Sequence, residues 1–174
     1  RSRRSPTSDR EQPSSLRRRR NLPEKSLKHS TSPTLDTDAY TPPIAVVLAA
    51  GEGSRLEQTR KGTPKPALKL LGLSLAERTI TAFTAAGIQR FIVVLGHEAD
   101  QVRAHYEQIA IRRHCDIDFV IAEDWKLGNG ASGLAAAEKL NDAPFLLTMS
   151  DHLIASSLIE RILLVRPERG EISL

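Results

Sequence analysis

Two glycines, Gly51 and Gly53, follow the apolar run Ile44–Ala50 directly, and Arg55 comes two residues later. Ten residues beyond Arg55, Lys65 stands between Pro64 and Pro66. Glycines at a strand's end let backbone N–H groups come close to a phosphate or a base. The prolines stiffen the segment carrying the lysine, because each fixes φ. A rigid lysine and a loop arginine beside a glycine turn can clamp a polyphosphate. An ordinary strand-to-helix turn with surface cations would use the same residues, and spacing alone leaves that reading open. Two other phosphate loops are excluded. No Gly-Lys-Ser/Thr follows as a Walker loop requires, and the third glycine of a dinucleotide fingerprint is replaced by Leu56.

A second group lies further along the chain. Asp151, in "MSDHL" (Met149–Leu153), follows another apolar run. A carboxylate at a strand's carboxyl end, facing the glycine loop, is a natural magnesium ligand. The other reading of "SDHL" is a helix N-cap. In "EDWKLGNGASGL" (Glu123–Leu134), Gly128, Gly130 and Ser132 surround Asn129 and form a loop with polar groups at a helix start. Asn129 suits a turn equally well. Trp125 is read as packed, and His97 as structural. His152 fits either a ligand contact or a structural role. Cys115, the one cysteine, is read as an unreactive thiol and rules out an internal disulfide. A lone thiol fits a reducing, cytoplasmic setting.

These residues need elements to hold them. "IAVVLAA" (Ile44–Ala50), "RFIVVLG" (Arg90–Gly96), "DIDFVIAE" (Asp116–Glu123) and "PFLLTMS" (Pro144–Ser150) read as strands of one kind, buried on both faces. Helical patterns lie between them. "SLAE" (Ser74–Glu77) predicts a capping box, with Glu77 reaching back to the cap. Ala76, Ile80 and Phe83 then share a face, and Gly87 marks the stop. "ADQVRAHYEQIA" (Ala99–Ala110), "GASGLAAAEKL" (Gly130–Leu140) and "ASSLIERILLV" (Ala155–Val165) supply further helices. The alternation predicts an α/β domain: a Rossmann-like, mainly parallel sheet with flanking helices. Ligands of such sheets bind beyond the carboxyl ends of the strands, where the glycine loop and Asp151 fall.

The formal charge of +4 is unevenly spread. Residues 1–43 hold ten Lys or Arg against five Asp or Glu, and residues 44–174 hold fifteen against sixteen. Basicity therefore belongs to the first segment, a Ser-, Pro- and Arg-rich stretch expected to be disordered. Its Arg17–Arg20 run suits nucleic acid or anionic lipid, or nothing at all. The body, 44–174, carries no bulk charge favouring nucleic acid. No apolar run reaches the ~20 residues of a membrane helix, and no signal-peptide core is present. The chain starts at Arg1 and stops inside what reads as a continuing fold, so a truncated domain is expected.

"LAAGEGSRL" (Leu48–Leu56) with "PKPAL" (Pro64–Leu68) resembles the signature of the sugar-phosphate nucleotidyltransferases. The resemblance runs from about Ile44 to Leu174 and departs at Ala67, where the family often has a larger residue. It implies the nucleotidyltransferase fold. Arg55 and Lys65 would be the phosphate-binding catalytic cations. Leu48, Ala49, Ala50, Gly51 and Gly53 would bind nucleotide, and Asp151 would hold Mg²⁺. Asn129, Gly130 and Ser132 would fall in the segment that reads base and ribose. "LGNGAS" and "MSDH" look most like the inositol-1-phosphate cytidylyltransferase branch, whose members are often fused to a membrane CDP-alcohol phosphotransferase. The implied reaction transfers a nucleotidyl group, CMP foremost, from a nucleoside triphosphate to inositol 1-phosphate or a related phosphate, releasing pyrophosphate. Alternatives are a hexose-1-phosphate or molybdenum-cofactor type of nucleotidyltransferase, or a regulatory domain that binds nucleotide without turnover. Relatives use a second metal carboxylate, for which Asp124 and Glu160 are candidates by default.

Overall fold

A computed structural model describes residues 43–54 and 61–165. The basic segment, Arg55 and Leu56 lie outside the described residues. β1 (Ile44–Ala49) is buried along its whole length. Two short strands, β2 (Lys69–Leu70) and β3 (Leu73–Ser74), pair antiparallel as a hairpin. α1 (Leu75–Ala85) leads to β4 (Arg90–Leu95), and α2 (Ala99–Arg113) to β5 (Asp116–Ile121). Two short helices follow, α3 (Asn129–Leu134) and α4 (Ala137–Leu140), then β6 (Phe145–Met149) and α5 (Ser156–Leu163).

The main sheet has the order β5-β4-β1-β6, and all its pairs are parallel. Ala45 stands beside Phe91 on one side, and Ile44 beside Phe145 on the other. β1 therefore sits inside the sheet, where the strand order reverses, the usual place for a ligand crevice. The α/β reading holds. Each face carries one core. Ala45, Val47, Phe91, Val93 and Leu95 pack with Ile80 and Phe83 of α1 and with Val102, Tyr106 and Ile109 of α2. Val46, Leu48, Ile92 and Val94 pack on the other face with Ala136 and Leu140. A parallel strand loaded from both sides must be apolar at every position, as β1 is.

The four strands are not alike, however. β5 and β6 are exposed or half-buried at every position except Thr148, and Phe145 and Leu147 stand exposed. Both lie at the edges of the sheet, with no strand among the described residues on the outer side of either. The stretch expected as one helix over 130–140 is broken into α3 and α4. It holds two glycines, the residues that most disfavour helix after proline.

Half of the expected capping box forms. The Glu77 backbone N–H donates to Ser74 Oγ at 3.1 Å. The Glu77 side chain does not reach back. It turns to α2, where Arg112 Nη2 stands 3.1 Å from Oε2 and Arg113 Nη2 stands 3.0 Å from Oε1. Two guanidinium donors outcompete one backbone N–H for a carboxylate. His105 Nε2 closes the cluster at 2.8 Å from Ser74 Oγ. Burial pushes the Glu77 carboxyl up, but hydrogen bonds and charge from Arg112, and then Arg113, bring it below its ordinary value. A depressed carboxylate stabilises the fold above its unfolded value and loses that effect as pH falls through the folded one. Glu77→Ala should lower the unfolding free energy by about 1–3 kcal/mol at neutral pH. Denaturant titration of wild type and Glu77→Gln should show their difference shrinking below the ordinary value of 4.5.

Candidate functional site

β1 ends at Ala49, and the turn that follows is exposed at Gly51 and Glu52. Gly53 has φ +65°, the left-handed region in which a Cβ is strained. Ala50 is held from the next strand, because its carbonyl accepts the His97 N–H at 2.9 Å. On β1's other side the Ser150 N–H donates to the Leu48 carbonyl at 3.0 Å. The glycine turn is thus anchored to the carboxyl ends of β4 and β6 together.

Lys65 begins a short 3-10 turn, Lys65–Ala67, flanked by buried Pro64 and Pro66. The stiffening expected from the prolines is present: Pro64 has φ −56°, and the Ala67 N–H donates to its carbonyl at 2.9 Å. The turn packs on α1 and α2. From there the Lys65 ammonium Nζ reaches Asp151 Oδ2 at 2.6 Å. The chain thereby joins two residues 86 positions apart that were singled out separately.

Asp151 is not the cap of the following helix. α5 begins at Ser156 with Ala155 as its N-cap, and no side chain caps it. The helix-cap reading of "SDHL" is set aside. The segment meets α1 at Thr79, whose hydroxyl is shared between the Leu75 carbonyl at 3.2 Å and the His152 carbonyl at 3.4 Å. Burial pushes the Asp151 carboxyl up. The Lys65 hydrogen bond and charge, a backbone N–H and the His152 charge outweigh it and hold the carboxyl below its ordinary value. Asp151 Oδ1 is buried with no hydrogen-bond partner. The carboxylate is therefore ionised, as a hard cation requires, and Oδ2 is the oxygen that such a cation could reach. Among the described residues no three His, Cys, Asp or Glu side chains gather to hold a metal. Asp124 and Glu160 are exposed. A single carboxylate suits a cation that takes its other ligands from water and phosphate. It does not suit a closed zinc site.

Across β1 lies the loop after β5. Gly128 precedes α3 with φ +106°, a conformation for glycine. Asn129 opens α3 instead of sitting in a turn, and both it and Gly130 are exposed. The Asn129 amide Nδ2 points at Met149 Sδ, 3.7 Å away, two residues before Asp151. Ser132 is buried, its N–H bonded to the Gly128 carbonyl. α3 packs on β1. Trp125 is packed as expected, its ring 5.5 Å from that of His97. Cys115 is buried, and burial and then the Asp116 charge push its thiol up, away from nucleophilic use.

Two contributors were invisible in the sequence. A Cβ at Gly96 would stand 2.7 Å from Trp125 and 2.8 Å from Ala50. Position 96 therefore needs glycine for space: the glycine turn and the Trp125 loop close over bare backbone there. Tyr106, from α2, is fully buried with its hydroxyl unpaired. Burial, then the Asp151 charge, pushes its phenol up.

Known proteins resemble this chain in sequence and in fold. A bifunctional IPC transferase and DIPP synthase from Rubrobacter xylanophilus is 37% identical over 120 residues, covering 68% of this chain and 26% of that protein. The protein of the same name from Thermococcus kodakarensis is 34% identical, covering 69% of this chain and 26% of its own length. The chain thus spans about a quarter of these curated relatives. Among solved structures, the inositol-1-phosphate CTP transferase from T. maritima superposes with TM-score 0.61 at 23% identity, covering 69% of this chain and 48% of that one. This last likeness establishes the fold. Residues 45–172 match the MobA-like NTP transferase domain. Since that match takes in most of the chain, the protein belongs to the MobA-like NTP transferase domain family.

Proposed function

We propose that this domain transfers a cytidylyl group from CTP to inositol 1-phosphate, releasing pyrophosphate. The observation that carries the chemistry is the Lys65–Asp151 pair at the carboxyl ends of the strands, beside the glycine turn. What supports the substrate choice is the identity to two proteins named as IPC transferases, together with "LGNGAS" and "MSDH". A phosphate oxygen of the acceptor attacks the α-phosphorus, and the bond to pyrophosphate breaks. The acceptor phosphate is already anionic, so no strong general base is needed. Positioning and charge neutralisation do the work.

Lys65, fixed between prolines, neutralises the triphosphate and the departing pyrophosphate. Arg55, outside the described residues, is assigned the same role from its place in the motif. The backbone from Leu48 to Gly51, with Gly53, lies along the nucleotide. Asn129, Gly130 and Ser132 are assigned to the base and ribose from their place in the motif. Asp151 is the residue that would hold Mg²⁺. When bound, the ion would supply positive charge at the phosphoryl oxygens. Among the described residues no helix is long and apolar enough to cross a membrane.

The test is pyrophosphate release with four nucleotides and a panel of phosphorylated sugars and polyols. CTP with inositol 1-phosphate is expected to exceed other pairs by tenfold or more. A site that hydrogen-bonds one base edge can discriminate by ~10⁴, because the wrong base leaves buried polar groups unpaired. A tenfold preference for UTP or GTP would move the substrate assignment and leave the phosphate chemistry standing. Nucleotide binding without any release would favour a regulatory domain.

A further inference from the structure

The Asp151 carboxylate has two oxygens in unequal positions. Oδ1 is buried, out of reach of water. That leaves Oδ2 as the oxygen a hydrated ion can approach, and the Lys65 ammonium stands on it at 2.6 Å. Both side chains keep some contact with solvent, 22% for Lys65 and 28% for Asp151. An exposed ion pair normally loses much of its strength to the cost of ordering two long side chains. Here Pro64 and Pro66 order the lysine segment in advance, and the other side meets α1 where His152 contacts Thr79. The lysine therefore stands where a hydrated ion would have to bind. A dication added beside it would also face its repulsion at short range.

We propose that Lys65 and the divalent cation contend for Asp151, so that the metal enters with the triphosphate and not ahead of it. This inference rests on the reading of Asp151 as a metal ligand given above. A triphosphate offers the ammonium several oxygens and more negative charge than one carboxylate does. Drawn to it, Lys65 frees Oδ2, and the same triphosphate supplies the cation's remaining ligands. The device keeps the ion out until the substrate that needs it has arrived. Lys65 then has two jobs, one on phosphate and one on the metal site.

The experiment is Mn²⁺ binding to the whole chain without nucleotide, followed by electron paramagnetic resonance. Lys65→Met keeps the side chain's bulk and removes its charge. It should bind Mn²⁺ at least tenfold more tightly than wild type, and the gain should vanish in Lys65→Met/Asp151→Asn. Lys65→Gln serves as a second variant, and thermal unfolding checks that each protein is folded. A gain below tenfold in both single variants overturns the proposal, as does a gain that survives loss of Asp151. The readout needs neither nucleotide nor acceptor. Failure of the CTP and inositol assignment would therefore leave it intact, and an active enzyme whose Lys65 variants gain no Mn²⁺ affinity would sink this idea alone.

Discussion

Replacing Lys65 with alanine is expected to slow pyrophosphate release about 10²–10³-fold, the loss typical of one preorganised donor. The size follows from how the lysine is held. An ammonium on a flexible surface loop would be replaced by water at small cost. Lys65 instead leaves a 3-10 turn whose flanking prolines are buried and which packs on two helices. Its backbone is therefore held in place before the phosphates arrive, and only the ammonium has to pass from Asp151 to them. The fold should hold: Lys65 is partly exposed, and its partner Asp151 can turn to water. Steady-state rates, with unfolding curves as the control, test this. A loss under about threefold, with folding intact, would reject the phosphate-clamp role. Arg55→Ala is expected to act in the same way, on the motif alone.

The second large effect is expected at Asp151. Asn keeps the shape and a hydrogen-bonding oxygen but drops the charge that a hard dication requires. Charge stabilisation by a bound metal amounts to several kcal/mol, so Asp151→Asn should lower the rate about 10²–10⁴-fold. It should also shift the magnesium titration to higher concentration. Stability should change little, by about 1 kcal/mol or less, as for partly exposed ion pairs generally. Because Ala155 caps α5, no helix end is lost with the carboxylate. The pH dependence gives a further sign. The Asp151 carboxyl lies below its ordinary value in the fold, so its pairing stabilises above the ordinary carboxylate range and fades as pH falls through the folded value. Asp151→Asn should remove that acid-side slope. An unchanged magnesium titration would return Asp151 to a structural role.

Local signals explain why much of this could be read from the chain. An unbroken apolar run of strand length such as Ile44–Ala50 suits a strand loaded on both faces, and Ser74 three residues before Glu77 sets a helix start. Pro64 and Pro66 fix φ wherever the chain goes. Other features depend on which elements meet. Nothing near Glu77 announces Arg112 and Arg113, 35 and 36 residues away. That β5 and β6 are edges follows from strand order, which apolar content does not encode. Gly96 reads as an ordinary strand-end glycine until Ala50 and Trp125 are brought against it. Tyr106 reads as a core aromatic until its hydroxyl is found buried near the charge of Asp151. The Lys65–Asp151 contact itself was not legible: 85 residues intervene, and each of the two was singled out for a different partner.

The two halves of the site hang from different supports. The phosphate side rests on the end of β1 and on the proline-braced turn at Lys65, while the Asn129 loop follows β5 and meets the first half across β1. On the proposed reading, a change in the 123–134 segment would alter which base fits while leaving the Lys65 turn as it is. Evolution could retune selectivity by drift in one loop while the reactive half stays under separate constraint. A laboratory graft of that loop from a relative with another base preference would exploit the same independence, with Gly96 as the joint at which both halves must still close.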